Sequence, residues 1–189
     1  ITFIKNENGS FQGTLNVTML FKQGNEIKTF RKYNLKTVET EDTAHINFVV
    51  FDQQRIAIDA GEYDFELEIA DINSKLPPYK ATGKIAVDFN PKAVTISDIE
   101  LVESFEPATE NSAIAKSGYN FYPYQDFYYP QNISKITYYC EIYNTTEIFG
   151  ANQPLLVVST IEDFQTGKSI PEYYRLKRET SSEVNVVFS

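Results

Sequence analysis

The sequence predicts an all-β protein of two tandem β-sandwiches, and three observations carry that reading. Apolar and polar residues alternate with period two along most of the 189 residues, while helical spacing is scarce. The aromatic residues are 13 Tyr and 14 Phe with no Trp, types that favour half-buried pleated surfaces. The segment Asp59-Ala60-Gly61-Glu62-Tyr63 leads into a strand in the way a corner residue enters a sandwich core. The length suits two sandwiches of roughly 90 to 100 residues each, and we place them at 1–90 and 91–189.

The first half reads element by element. Asn8-Gly9 signals a type I′ hairpin between Ile1–Lys5 and a long strand from Ser10. On that strand Leu15, Val17, Met19 and Phe21 line one face, and Gly24-Asn25 then turns the chain with glycine first, as type II′ requires. A returning strand spans Ile27 to about Val38. After the acidic loop 39–42, Ala44, Ile46, Phe48 and Val50 alternate as a further strand. Tyr63, Phe65, Leu67 and Ile69 alternate with Asp64, Glu66 and Glu68, a half-buried strand with an acidic outer face. Gly61 supplies the positive φ of a tight corner, and the Tyr two residues later matches a tyrosine corner, whose hydroxyl ties back to upstream backbone. This D-x-G-x-Y pattern resembles the immunoglobulin superfamily, so the two sandwiches are expected to be immunoglobulin-like or fibronectin type III-like. Phe65 stands where that superfamily has its second bridging cysteine, so packing replaces the disulfide.

Asn90-Pro91-Lys92 reads as the joint between domains, because Pro cannot continue a central ladder. Strands follow at 94–102, near 114–122, and at 133–143, 155–164, 173–178 and 184–188, with Thr166-Gly167 turning a hairpin. No second G-x-Y corner follows them, so the second sandwich is expected to lack its last strand or strands. The chain opens Ile1-Thr2-Phe3 with no initiator Met, signal peptide or membrane-spanning apolar run, and reads as a processed or excised piece of a longer protein.

The net charge of −9 is uneven: residues 1–92 carry 11 Lys/Arg against 13 Asp/Glu, and residues 93–189 carry 6 against 13. So acidic a second half repels phosphate backbones and anionic membranes, which argues against nucleic acid as a partner. The lone Cys140 excludes an intrachain disulfide. It lies on the apolar side of its strand with Ile136, Tyr138 and Ile142, and reads as core. The lone His45 excludes His-rich metal sites and reads as an ordinary surface or sheet residue. The carboxylates Asp59, Glu62, Asp64, Glu66, Glu68 and Asp71 fit a solvated strand face better than a glycosidase pair. Glu39, Glu41 and Asp42 lack the D-x-D-x-D-G spacing of a calcium loop. No P-loop, G-x-S-x-G, H-E-x-x-H or paired C-x-x-C occurs. The expectation is therefore a non-catalytic protein without metal or cofactor.

Residues 119–129 (YNFYPYQDFYY) hold seven aromatics in eleven positions. Either these rings fill the second core and the seam between domains, or some of them form a binding platform for a sugar or a protein. In the second case Tyr122, Tyr124, Tyr128 and Tyr129 are the exposed members.

Several stretches together resemble one family. They are Asn8–Gly13 leading to Val17–Lys22, Phe51–Ile56, Val94–Ser104 (VTISDIELVES), Lys116–Tyr119 and Tyr139–Asn144 (YCEIYN). The family is the GWxTD domain-containing proteins of Gram-negative bacterial envelopes, in the paired β-sandwich region that precedes their signature. With no Trp, the signature itself is absent here. The resemblance implies an extracytoplasmic protein, periplasmic or on the outer surface, with no established reaction, and it transfers no functional residues. The function expected is thus a structural or protein-interaction module with an envelope protein as partner. The alternative is a carbohydrate-binding module that takes a glycan on the aromatic stretch.

Overall fold

A computed structural model describes residues 1–46, 48–109, 114–126 and 128–188. The chain is almost entirely antiparallel β-structure and divides into two compact units, 1–88 and 89–189.

The first unit is a five-stranded sheet of β1 (Phe3–Lys5), β2 (Phe11–Gln23), β3 (Glu26–Lys36), β4 (Gly61–Asp71) and β5 (Tyr79–Val87). Strand β2 is its axis, pairing with β1, β3 and β4, and β5 adds to β4. Alternation on β2 buries Val17 and Phe21. Opposite them on β4 stand Ile69 and Phe65, and the rings of Phe21 and Phe65 lie 5.1 Å apart. The other face carries the ion pairs Lys22–Glu66, Lys80–Glu68 and Lys84–Asp64 at 2.6 to 2.8 Å. Exposed pairs of this kind add little stability, but they keep the face in water.

Two local expectations change. Residues 6–10 form a longer connection than a two-residue turn: Asn6 accepts from the Gly9 N–H and donates to Ser10. Only Gly9 there has positive φ, so type I′ geometry is not formed. Described residues of 44–50 are not a strand, because local side-chain bonds compete for the backbone. Asp42 accepts the Ala44 N–H at 2.7 Å and contacts His45 at 2.8 Å. Phe48 still packs edge-on against Phe3, and Asn47 lies outside the described residues.

At the corner, the Tyr63 hydroxyl donates to the Asp59 carbonyl at 2.8 Å, and its ring is buried. Gly61 has φ +154°, and a Cβ there would come within 2.8 Å of the Gln23 side-chain nitrogen. The positive φ is what favours glycine, since the Gln23 side-chain end can move aside.

The second unit has a six-stranded sheet and a separate two-stranded ribbon. Strand β10 (Thr137–Tyr143) is the axis. It pairs with β13 (Val184–Phe188) on one edge and with β6 (Thr95–Ile96) and β7 (Glu100–Pro107) on the other. Strand β9 (Tyr119–Pro123) joins β7, and β8 (Ala115–Lys116) joins β9. The expected strand 94–102 is split because Ser97 turns to hold Glu141, giving its N–H to the Glu141 carbonyl and taking the Glu141 N–H on its hydroxyl. The ribbon is β11 (Pro154–Ser159) with β12 (Arg175–Thr180), which extends through a Glu162–Ser169 bridge to the Thr166-Gly167 turn. A short helix, α1 (Thr145–Phe149), follows β10. No helix among the described residues is long and apolar enough to cross a membrane.

Both faces of this sheet are covered. Val102, Phe121 and Tyr139 gather Val186 and Phe188 on one side. Cys140, Ile142 and Val187 gather Val94, Tyr138 and Val157 on the other.

Removing the Tyr63 hydroxyl as Tyr63→Phe deletes one hydrogen bond and leaves the packing, and should cost about 1–2 kcal/mol. Chemical denaturation of the two proteins measures the difference, and coincident midpoints would mean the corner contributes nothing.

Candidate functional site

The aromatic segment begins on β9, where alternation divides its rings between core and surface. Phe121 points inward, 1% exposed, and packs at 4.7 Å on Tyr139 and 5.2 Å on Phe188. Phe105 packs edge-on against Phe188 at 4.6 Å and against Tyr119 at 5.9 Å, so the core here is an aromatic cluster. Tyr122 points outward and donates to Glu106 at 2.7 Å, a bond that pushes its hydroxyl pKa up.

Past Pro123 the chain leaves the sheet. The Tyr124 N–H still donates to Leu101, and its ring stacks on Tyr129 at 4.2 Å with an 8° interplanar angle. The Tyr124 hydroxyl closes the loop on the Tyr128 carbonyl at 2.8 Å. Tyr124 and Tyr129 are therefore half-buried by each other, while Tyr128 is 68% exposed and Tyr122 37%. The buried Tyr129 hydroxyl has no hydrogen-bond partner among the described residues. Phe127 lies outside the described residues. The surface available to a ligand is thus Tyr122 and Tyr128, with the stacked pair as support.

On the same face as Phe121 runs a polar network that no sequence motif signalled. The Tyr139 hydroxyl donates to Glu141 at 2.5 Å, and the Tyr143 hydroxyl donates to the other oxygen of that carboxylate. Ser117 lies 3.2 Å from the Tyr139 hydroxyl. Lys116 pairs with Glu100 and sits 5.2 Å from the centre of the Tyr139 ring. Residues two apart on one strand share a face, so the Y-x-E-x-Y spacing at 139–143 is the signal that could have found it. Burial, then the bond to Glu141, pushes Tyr139 up to about 12, and the same two causes raise Tyr143. Both hydroxyls therefore remain donors at neutral pH, which suits them to hold the carboxylate and not to abstract protons.

The remaining candidates are dispersed. Asp59, Gly61 and Tyr63 make the corner described above. Cys140 is buried and its thiol is pushed up by that burial, so it carries little thiolate. His45 is exposed against Asp42 and belongs to the other unit. Asp64, Glu66 and Glu68 are taken up by the lysine pairs of the first sheet. Among the described residues, no group of three or more His, Cys, Asp or Glu could hold a metal ion.

Comparison of the chain with protein-family models, with curated proteins and with solved structures finds no match.

The raised Tyr139 value has a pH consequence. Above the ordinary tyrosine value of 10.0 the unfolded chain loses this proton while the folded chain holds it up to about 12. Folding stability should then fall across that interval, and Tyr139→Phe should show a shallower fall. Denaturation midpoints of both proteins between those two pH values check this, with equal slopes as the contrary result.

Proposed function

We propose that this chain is a non-catalytic structural and protein-interaction module of a bacterial cell envelope, built on two immunoglobulin-like sandwiches and acting outside the cytoplasm. The observation that carries the reading is the state of its strand edges. Each sheet is open, and β3, β5, β11, β12 and β13 each pair on only one side among the described residues. An open edge is a row of unpaired N–H and C=O groups, which is the surface a protein partner uses to add a strand. The residues most capable of chemistry are either buried as packing or engaged with each other, as for Cys140, Tyr139 and Glu141. The corner at Gly61 and Tyr63 supports the immunoglobulin-like assignment, and the resemblance of Val94–Ser104 and Tyr139–Asn144 to GWxTD-domain proteins supports the envelope location.

One observation favours a second reading, in which the module holds a carbohydrate. Tyr128 and Tyr122 are exposed, the Tyr128 carbonyl holds the hydroxyl of Tyr124, which stacks on Tyr129, and rigid rings of this kind suit the apolar face of a sugar.

Photo-crosslinking of the full chain in a Gram-negative envelope fraction should capture a protein saturably, and a glycan array should show no signal. Array binding that disappears in Tyr128→Ala, with no saturable protein capture, would replace the first reading by the second.

A further inference from the structure

Four of the five open edges named above carry charges or caps that limit pairing, which leaves β11 as the edge that supports the interaction reading. Strand β3 carries Lys28, Arg31, Lys32 and Lys36, and β5 carries Lys80 and Lys84. On β13 the Val186 carbonyl accepts from Lys177 and the Val184 carbonyl from Ser182. Strand β12 reads Arg-Leu-Lys-Arg-Glu-Thr. Charges and caps of this kind are how edges avoid unwanted pairing. Strand β11, Pro-Leu-Leu-Val-Val-Ser, carries no charge and no cap, and its one edge-blunting residue is Pro154 at the first position.

The register shows which of its groups are free. Gln153 exchanges with Ser181 at the start of the ribbon, accepting the Ser181 N–H and donating to its hydroxyl. Alternation therefore directs the peptide groups of Leu155 and Val157 at β12 and those of Leu156 and Val158 away from it. No hydrogen bond to the Leu156 or Val158 peptide groups is formed among the described residues.

That free edge borders a cleft of about 640 Å³. Its lining takes in consecutive residues of β11, from Leu155 to Val158, so it runs along the backbone and not under one face. Val94, Ile96, Ile142 and Phe149 also line it, and no lining residue is charged.

We propose that this cleft receives an extended, uncharged segment of a partner protein, which pairs with Leu156 and Val158 as an added strand and lays alternate apolar side chains against Ile142 and Phe149. This rests on the interaction reading above and names the chemistry of the partner. Unpaired peptide groups call for a polypeptide rather than a lipid or sugar, because they match the repeat of another backbone. The apolar, uncharged lining favours apolar side chains, since it offers a charged one no partner. A second copy of this chain fits less well. Each copy carries a net charge of −9, and the half that holds β11 has 6 Lys/Arg against 13 Asp/Glu, so two copies repel at this edge.

The probe is a fluorescent, end-blocked peptide alternating Val and Thr, about eight residues long so as to span a strand. Its anisotropy should rise saturably with the full chain. N-methylation of alternate residues on one peptide edge should weaken binding at least about tenfold, as should Leu156→Pro, which removes an N–H that no ladder bond uses. Val158→Lys serves as a second variant, with circular dichroism confirming that each variant folds. No saturable binding, or equal affinity for the N-methylated peptide, would overturn the proposal. Dimerisation lost in Leu156→Pro without peptide binding would also overturn it, in favour of a second copy. If native chain and Leu156→Pro capture the same envelope protein equally, the β11 assignment fails while the interaction reading stands.

Discussion

Each unit depends on one strand whose backbone is satisfied on both edges. A buried peptide group without a partner costs about as much as a lost hydrogen bond, so the strand at the centre of a sheet must find two neighbours. In the first unit that strand is β2, held by β3 on one edge and by β4 and β1 on the other. In the second it is β10, held by β13 and by β6 with β7. Everything peripheral follows from these two ladders. The corner at Tyr63 delivers β4 to β2, and Ser97 bends the chain so that β6 and β7 share one edge of β10.

The two units bury their axes differently. Strand β2 covers one face with Val17 and Phe21 and leaves the other to lysine–carboxylate pairs. Strand β10 has buried groups on both faces: Cys140 and Ile142 on one, Tyr139 on the other. A strand covered on both faces tolerates a carboxylate only if it is hydrogen-bonded, and Glu141 meets that condition through Tyr139 and Tyr143. The aromatic cluster around Phe121 and the tyrosine network are thus one solution to placing an acidic strand in a core. It accounts for Phe121, Tyr139 and Tyr143, while Tyr122 and Tyr128 stay at the surface.

Local features were legible in the sequence, and non-local ones were not. Gly61-Glu62-Tyr63 could be read because φ at Gly61 and the two-residue offset to Tyr63 are set within a few residues. The alternation of Leu15 to Phe21 could be read for the same reason. The pattern at 44–50 misled because Asp42 captures the Ala44 N–H, and alternation says nothing of whether a ladder partner exists. Helix α1 is too short to show a period, and Thr145 is buried against Ser182 and Asn185, far along the chain. Among the tyrosines, composition could mark the stretch, but only pairing decides that Phe121 is core and that Tyr124 stacks on Tyr129. The free edge of β11 was the least legible feature, since it depends on which neighbour β11 takes and which it lacks.

In the isolated chain this edge is open. Amide hydrogen exchange resolved to single residues along β11 tests it most directly. Leu156 and Val158 should exchange at least about tenfold faster than Leu155 and Val157, whose peptide groups face β12. Equal protection of all four amides would show instead that the edge is already occupied.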